Sequence, residues 1–404
     1  MRAVGVIVEY NPFHNGHAFH LQASREAAQA DVVIAVMSGN FLQRGEPALV
    51  SKWQRTKMAI LNGVDIVFEL PYRYATQNAE TFANGAVSIL AAAGCQYLCF
   101  GSESGEIEAF QQTIHFLESQ QDSHEKNIKH FMGSGVSYPK ALALSYKQLS
   151  NSENYLDLSR PNNILGFHYI KAIHEQRSQI TPLTVARKIA DYHDEHFASE
   201  TIASATSIRK ALFSDINRPS EINQYVPEAT RQLLHEYLNQ HGLYHRWENY
   251  WPFLQLRLLH SSPEELKEIY EAEEGLENRL QHAATEAGSF QEFMERIKTK
   301  RYTWTRLQRL CVHILTNSKK IDMEGSKRAG YLRLLGMSER GQEYLNKMKK
   351  EFALPLVAKL SSFKDEEVNL DLKAARVYAM GVPGPAKKIL MEQEFKQPPI
   401  IIKK

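Results

Sequence analysis

Residues 3–8, Ala-Val-Gly-Val-Ile-Val, run straight into Glu9-Tyr10-Asn11-Pro12-Phe13-His14-Asn15-Gly16-His17. A short apolar run rich in β-branched side chains reads as a buried strand. Asn11-Pro12 marks a turn, and Ala18–Ala30 has the pattern of a helix. Strand, polar turn and helix start together make an anion site, because the first helical N–H groups have no partners of their own. His14 and His17 stand three apart, so both imidazoles can face one ligand at the helix mouth. Gly16 between them lets a phosphate or a flat base approach the backbone. A pair of surface histidines at a helix cap is the plainer reading of the same spacing.

The alternation continues. Asp31–Met37 is a second apolar strand, followed by Ser38-Gly39-Asn40-Phe41 and the polar loop Gln43-Arg44-Gly45-Glu46-Pro47. Ser51–Leu61 is helical. Asp65–Leu70, Tyr97–Phe100 and Pro182–Ala186 read as further strands, with an Ala-rich helix from Asn78 to Ala93. Apolar strands alternating with helices predict an α/β fold, a Rossmann-like doubly wound parallel sheet. Ligands bind such sheets at the carboxyl ends of the strands, which points to the loops after strands one, two and four and to Gly101. Glu106–Ser152 reads as a helical insertion near 106–152. Asn162, at the start of the next helix, either caps it or contacts a ligand. Arg187 and Lys188 stand at the carboxyl end of the fifth strand, where phosphates would explain two cations. Ser204, Thr206 and Ser207 precede a helix expected to begin near Ile208, and with Arg209 they form a second anion cradle.

From Pro227 onward the strand signal disappears, which suggests a catalytic unit over 1–226 and a mainly helical one over 227–404. Glu264–Glu277 carries seven acids against Lys267 alone. The sign then reverses: Ile297–Lys350 has fourteen Lys and Arg against four Asp and Glu, a net +10. The whole chain is +2, so the remainder carries 2 − 10 = −8. A local basic block suits a polyanion. Within it Lys298, Lys300, Arg301, Arg306 and Arg309 can neutralise phosphates, while Tyr302 or Trp304 can stack on an exposed base. Trp304 and Leu307 fit the core of an amphipathic helix equally well. Asn369–Ala379 suggests a small βα piece and Pro398–Lys404 a tail.

Composition is that of an ordinary globular chain of 404 residues. Three cysteines, Cys95, Cys99 and Cys311, cannot build a disulfide framework and lack partners at metal-ligand spacing, so core positions are expected. No signal peptide and no 18-residue apolar run is visible, so the expectation is a cytoplasmic protein with no membrane and no DNA partner.

His14-Asn15-Gly16-His17 is similar to the HxGH signature of the HIGH nucleotidyltransferase superfamily. Ser204-Ala205-Thr206-Ser207-Ile208-Arg209 resembles its second signature, Ser-Ser/Thr-x-Ile-Arg. From end to end, the opening motif, the Gln43–Pro47 loop and the basic C-terminal half resemble the bacterial tRNA(Met) cytidine acetate ligase family. That resemblance implies adenylyl transfer from ATP, with His14 and His17 as catalytic residues. It implies an ATP site of Ile7, Val8, Glu9, Tyr10, Asn11, Pro12, Phe13, His14, Asn15, Gly16, His17, His20, Gly101, Asn162, Arg187, Lys188, Ser207 and Arg209. Mg²⁺ would arrive bound to ATP, with no metal held by the protein alone. Acetate would become acetyl-adenylate, and its acetyl group would pass to the exocyclic amine of the wobble cytidine of elongator tRNA(Met), giving N4-acetylcytidine. The Ser38-Gly39-Asn40 turn is a candidate for the acetate pocket because it follows strand two on the same sheet edge. Two other readings remain: a small-molecule adenylyltransferase making a nucleotide cofactor, which leaves the C-terminal half without a task, and a non-enzymatic nucleotide-sensing RNA binder. The sequence does not give the oligomeric state.

Overall fold

The structure is a computed structural model that describes residues 1–187, 202–214, 222–273, 275–363 and 365–403. Parallel strands β1 (Ala3–Val8), β2 (Val32–Ser38), β3 (Ile66–Leu70), β4 (Tyr97–Ser102) and β5 (Thr181–Ala186) lie in the order β5-β4-β1-β2-β3. Helices connect them: α1 (Asn15–Ala27), α2 (Lys52–Leu61), α3 (Ala79–Ala92), and an excursion of α4 (Ile107–Ser119), α5 (Gln121–Gly133) and α6 (Tyr138–Gln148) before α7 (Pro161–Glu175). The excursion is the expected helical insertion. The central strands β2 and β3 are buried on both faces because their apolar residues alternate between two cores, while β5 at the edge stays partly exposed. In β2, Val32, Ile34 and Val36 meet α3 and α7, whereas Val33, Ala35 and Met37 meet α1 and α2. Burying each such side chain contributes roughly 1.5–3 kcal/mol, and helices on both faces are what a parallel sheet requires.

The strand order reverses between β1 and β4. The chain leaves β1 for β2 and β3 on one side, then crosses to β4 and β5 on the other. A crevice therefore opens at the carboxyl ends of β1 and β4, the place where doubly wound sheets take their ligands.

After α8 (Ala205–Phe213) and α9 (Glu228–His241), helices α10 (Trp251–His260), α11 (Leu276–Glu286), α12 (Phe290–Ile297) and α13 (Trp304–Thr316) build a separate core around Leu254, Leu280, Phe293 and Leu310. Phe41 and Tyr72, from the loops after β2 and β3, belong to that core. The helical part thus rests on the carboxyl edge of the sheet.

The C-terminal part departs from expectation in three places. Strands do not end at Pro227: β6 (Leu332–Ser338) pairs antiparallel with β3, and β7 (Leu356–Val357) and β8 (Ile400–Ile402) pair with β6. The segment Leu332-Arg333-Leu334-Leu335 conceals its strand because an arginine interrupts it. Arg333 is buried with its guanidinium 5.8 Å from the centre of the Trp53 ring and 4.0 Å from Glu394. The 398–404 tail likewise contributes β8, and the expected βα piece at 369–379 is wholly helical, part of α15 (Val368–Ala379), which follows α14 (Glu339–Met348). The last helix is α16 (Gly384–Lys396). All three cysteines are free and buried, as expected. Among the described residues no helix is long and apolar enough to cross a membrane.

Candidate active site

The crevice holds a cavity of about 310 Å³, lined by the ends of β1, β4 and β5, the start of α1, the loop after β2 and the residues around the start of α8. Its floor begins where β1 stops. Tyr10, with φ 49°, and the cis Asn11-Pro12 bond turn the chain into α1. His14 is the N-cap: its Nδ1 accepts from the Gly16 N–H at 3.1 Å, and the Nδ1 of His17 accepts from the His14 N–H at 3.2 Å. This is a capping box built from two imidazoles, where a serine and a glutamate are the usual pair. The rings stack with centroids 3.6 Å apart. Gly16 leaves room for that ring, since a Cβ would lie 3.0 Å from His14 Cε1.

Burial, followed by the Arg187 and Arg209 guanidinium groups, pushes His14 down to about 3. Burial, then His14, His20 and Arg187, holds His17 well below the usual histidine range. Burial and Arg187 take His20 to about 4. His14 and His17 are therefore neutral at pH 7, and each spends its Nδ1 lone pair on a backbone N–H. The hydrogen-bond pattern assigns both protons to Nε2. Each His then offers an N–H donor to the cavity it lines and takes up no proton from it.

Two cations face this pair. Arg187, at the end of β5, donates to Asn162 Oδ1 at 2.9 Å. Asn162 Nδ2 in turn donates to Glu103 at 2.6 Å, and Glu103 also accepts the Asn163 N–H at 2.7 Å, where a carboxylate suits the start of α7. Asn162 thus both lines the cavity and orients Arg187. A Cβ on Gly101 would lie 3.3 Å from Arg187 Cγ, so a larger residue would crowd that cation. Arg209, in α8, donates to the Asn11 carbonyl at 3.0 Å and to Glu46 at 2.9 Å. The arrangement offers neutral donors and cations to several oxygens at once, which is the requirement for holding a polyphosphate and stabilising charge on it.

Of the expected site residues, Ile7, Val8, Glu9, Tyr10, Asn11, His14, Gly16, His17, His20, Gly101, Asn162, Arg187 and Arg209 line the cavity. Pro12 and Phe13 instead shape the turn, Phe13 being fully buried, and Asn15 ties the start of α1 to the Tyr225 carbonyl at 2.9 Å. Ser207 is corrected too. The helix begins at Ala205 with Ser204 as its cap, so the Ser207 N–H donates to Ser204 Oγ and its own hydroxyl turns back to the Ser204 carbonyl. Ser204 and Thr206 line the cavity in its place. Lys188 lies outside the described residues.

The Ser38-Gly39-Asn40 turn does not reach this cavity. Gly39 and Asn40 border a separate space of about 10 Å³ beside Lys52 and Glu69, room for one water and too little for acetate. Sequence reasoning passed over Leu42, Arg44, Glu46, Phe100, Leu165 and Tyr169, which complete the wall. The signal for the first three was present: a polar loop at the carboxyl edge. Trp247 Nε1 and Gln308 Nε2 clamp that loop, donating to the carbonyls of Gly45 at 2.9 Å and Arg44 at 3.0 Å.

In the basic segment, Lys298, Lys300 and Arg301 are exposed. Tyr302 is 5% exposed and belongs to the helical core, with the Arg306 guanidinium 5.0 Å from the centre of its ring, so it is not displayed for a base. Arg306 and Arg309 pair with Glu273 and Glu271. Trp304 is partly buried against the same core, its Nε1 donating to Gln308.

A doubly wound sheet with an HxGH helix cap and two arginines at its switch point defines a nucleotidyltransferase, and the family model described as HIGH Nucleotidyl Transferase matches residues 1–393. A tRNA(Met) cytidine acetate ligase of Geobacillus sp. (strain WCH70) is 49% identical over 99% of this chain and all of its own length, and one from Lysinibacillus sphaericus is 46% identical with the same coverage. The crystal structures of Thermotoga maritima TmcAL, one apo and one bound with alpha-thio ATP, superpose with TM-scores of 0.93 and 0.91 at 35% and 34% identity, each pair covering both chains completely. The chain belongs to the tRNA(Met) cytidine acetate ligase family.

Proposed function

We propose that this protein activates acetate with ATP to acetyl-AMP and transfers the acetyl group to the exocyclic amine of the wobble cytidine of elongator tRNA(Met), forming N4-acetylcytidine. The observation that carries this reading is the pair of neutral imidazoles, stacked at 3.6 Å, facing Arg187 and Arg209 across the switch-point cavity. Acetate is too unreactive to acylate an amine, and adenylation makes it a donor by attack on the α-phosphate. His14 and His17 donate Nε2–H to the phosphate oxygens as charge builds there, while Arg187 and Arg209 stabilise the departing pyrophosphate. Among the described residues no group of three or more His, Cys, Asp or Glu stands ready to hold a metal ion. Mg²⁺ would arrive on the ATP phosphates, with water completing its shell.

The same reading assigns residues 1–226 to catalysis and 227–404 mainly to tRNA. Exposed Lys298, Lys300 and Arg301 support it as phosphate contacts, and the clamp of Trp247 and Gln308 on the Gln43–Pro47 loop joins that half to the cavity wall. A wobble base lies in a single-stranded loop, from which it can be splayed into a pocket. The test is acetate-dependent exchange of labelled pyrophosphate into ATP, followed by acetylation of an elongator tRNA(Met) transcript. Exchange with acetate and acetylation at the wobble cytidine are expected. Exchange only with a nucleotide partner would mark a cofactor adenylyltransferase, and no exchange at all a nucleotide-binding protein.

A further inference from the structure

Acetyl transfer to cytidine requires a proton acceptor. The amine of cytosine shares its lone pair with the ring, so it attacks a carbonyl only as its proton departs. His14 and His17 do not serve, because each Nδ1 already accepts a backbone N–H and each Nε2 carries its proton. His20 lies among the groups that Arg187 acts on, at the phosphate end, where a second positive charge is opposed. Glu46 is paired with Arg209 at 2.9 Å. Among the described residues one carboxylate of the cavity wall remains.

We propose that Glu9 is the proton acceptor for the attacking amine; this rests on the acetyl-transfer reading above. Glu9 follows β1 directly and lines the cavity. Its Oε1 accepts the Gln43 N–H at 2.8 Å, which fixes the carboxylate on the loop that Trp247 and Gln308 hold against the helical half. That single bond leaves Oε2 to take a proton. The ionisable groups facing Glu9 are Arg44 and Glu46 from the loop, Arg55 from α2 and Tyr169 from α7. On the cavity wall Glu9 stands with Leu42, Arg44 and Glu46 of the loop after β2. Burial raises the Glu9 carboxyl above the usual range, which strengthens it as a base.

The amine nitrogen bonds to the acetyl carbonyl carbon, the carbon–oxygen bond to the phosphate of AMP breaks, AMP leaves with that electron pair, and the amine proton passes to Glu9 and then to solvent.

The experiment supplies synthetic acetyl-AMP and an elongator tRNA(Met) transcript to the full-length protein and measures single-turnover acetylation against pH, with pyrophosphate exchange assayed in parallel. Wild-type transfer should rise with unit slope from low pH and then level off. Glu9→Gln preserves the acceptor for Gln43 N–H; with acetyl-AMP saturating, it should slow transfer at least a hundredfold and lose the rising limb. Glu9→Asp should recover tenfold or more over Glu9→Gln and regain the limb. Transfer by Glu9→Gln within tenfold of wild type, or a retained limb, would each overturn the proposal. A wild-type protein unable to use acetyl-AMP would overturn the ligase reading itself, a result distinct from any of these.

Discussion

Lys52 of α2 and Glu394 of α16 form an ion pair with both side chains almost removed from solvent, 1% and 3% exposed. Lys52 Nζ also donates to both oxygens of Glu69 at 2.7 Å, and Arg333 of β6 lies beside Glu394. Two cations and two carboxylates from α2, β3, β6 and α16 thus meet where the last strands join the sheet. Such a cluster adds little net stability as a whole, but removing one member strands a buried charge. Lys52→Met should therefore cost about 3–5 kcal/mol, read from urea denaturation. A loss under about 1 kcal/mol would mean that Glu69 and Glu394 find protons or water at little cost.

His14→Ala and His17→Ala each remove one neutral donor from the phosphate site and half of the capping box. Pyrophosphate exchange should fall on the order of 10²–10³-fold. Binding of tRNA, measured by filter retention, should stay within about threefold, since the contacts assigned to tRNA lie elsewhere. Near-normal exchange in both variants would remove the phosphate site from these residues.

The site was legible where local chemistry alone makes it. Strand, Asn-Pro turn, imidazole caps and Gly16 are neighbours in sequence, and the structure assembles them as read. The helix starts a few residues earlier than expected, which turns the Ser207 hydroxyl back to the Ser204 carbonyl and leaves Ser204 and Thr206 on the cavity wall. The hidden parts depend on distant partners. Arg333 counts in sequence toward the basic block of 297–350, whereas in the structure it is buried between Glu394 and the Trp53 ring. Tyr302 reads as a stacking platform until the helical core closes over it. Leu42 and Glu46 join the wall on a loop held by distant partners, Trp247 and Gln308 from the helical part and Glu9 from the end of β1.

Exposed Lys298, Lys300 and Arg301 are the members of the basic segment best displayed for phosphate. The triple alanine variant should weaken tRNA binding and lower the slope of log K against log salt by up to about three, with exchange retained. Arg309→Ala should behave differently. Arg309 is 8% exposed and paired with Glu271 at 2.6 Å, so its loss should appear as lower thermal stability. An unaltered salt slope in the triple variant would move the tRNA surface to another face.

Acid should unfold this protein through its histidines. His14 and His313 are pushed down to about 3, His20 and His168 to about 4, and His17 and His245 well below the usual range, burial being the first cause each time. An unfolded histidine binds its proton near pH 6.5. Between that pH and the depressed folded values the unfolded chain holds more protons, so stability is present in full above pH 6.5 and declines as pH falls. Each such group contributes a slope of about 1.4 kcal/mol per pH unit. Asp371, raised by burial and Glu69 to about 7, acts in the opposite sense. Its folded form keeps a proton that the unfolded form has lost above the usual aspartate range, so its stabilisation fades as pH rises toward 7. Glu9 and Glu69, also raised, share that sign. The histidines outnumber these acids, so the urea midpoint should drop steadily from pH 7 to pH 5. His313→Gln should flatten the decline by about one histidine's slope. A midpoint constant over that range would mean that the buried imidazoles gain protons without unfolding.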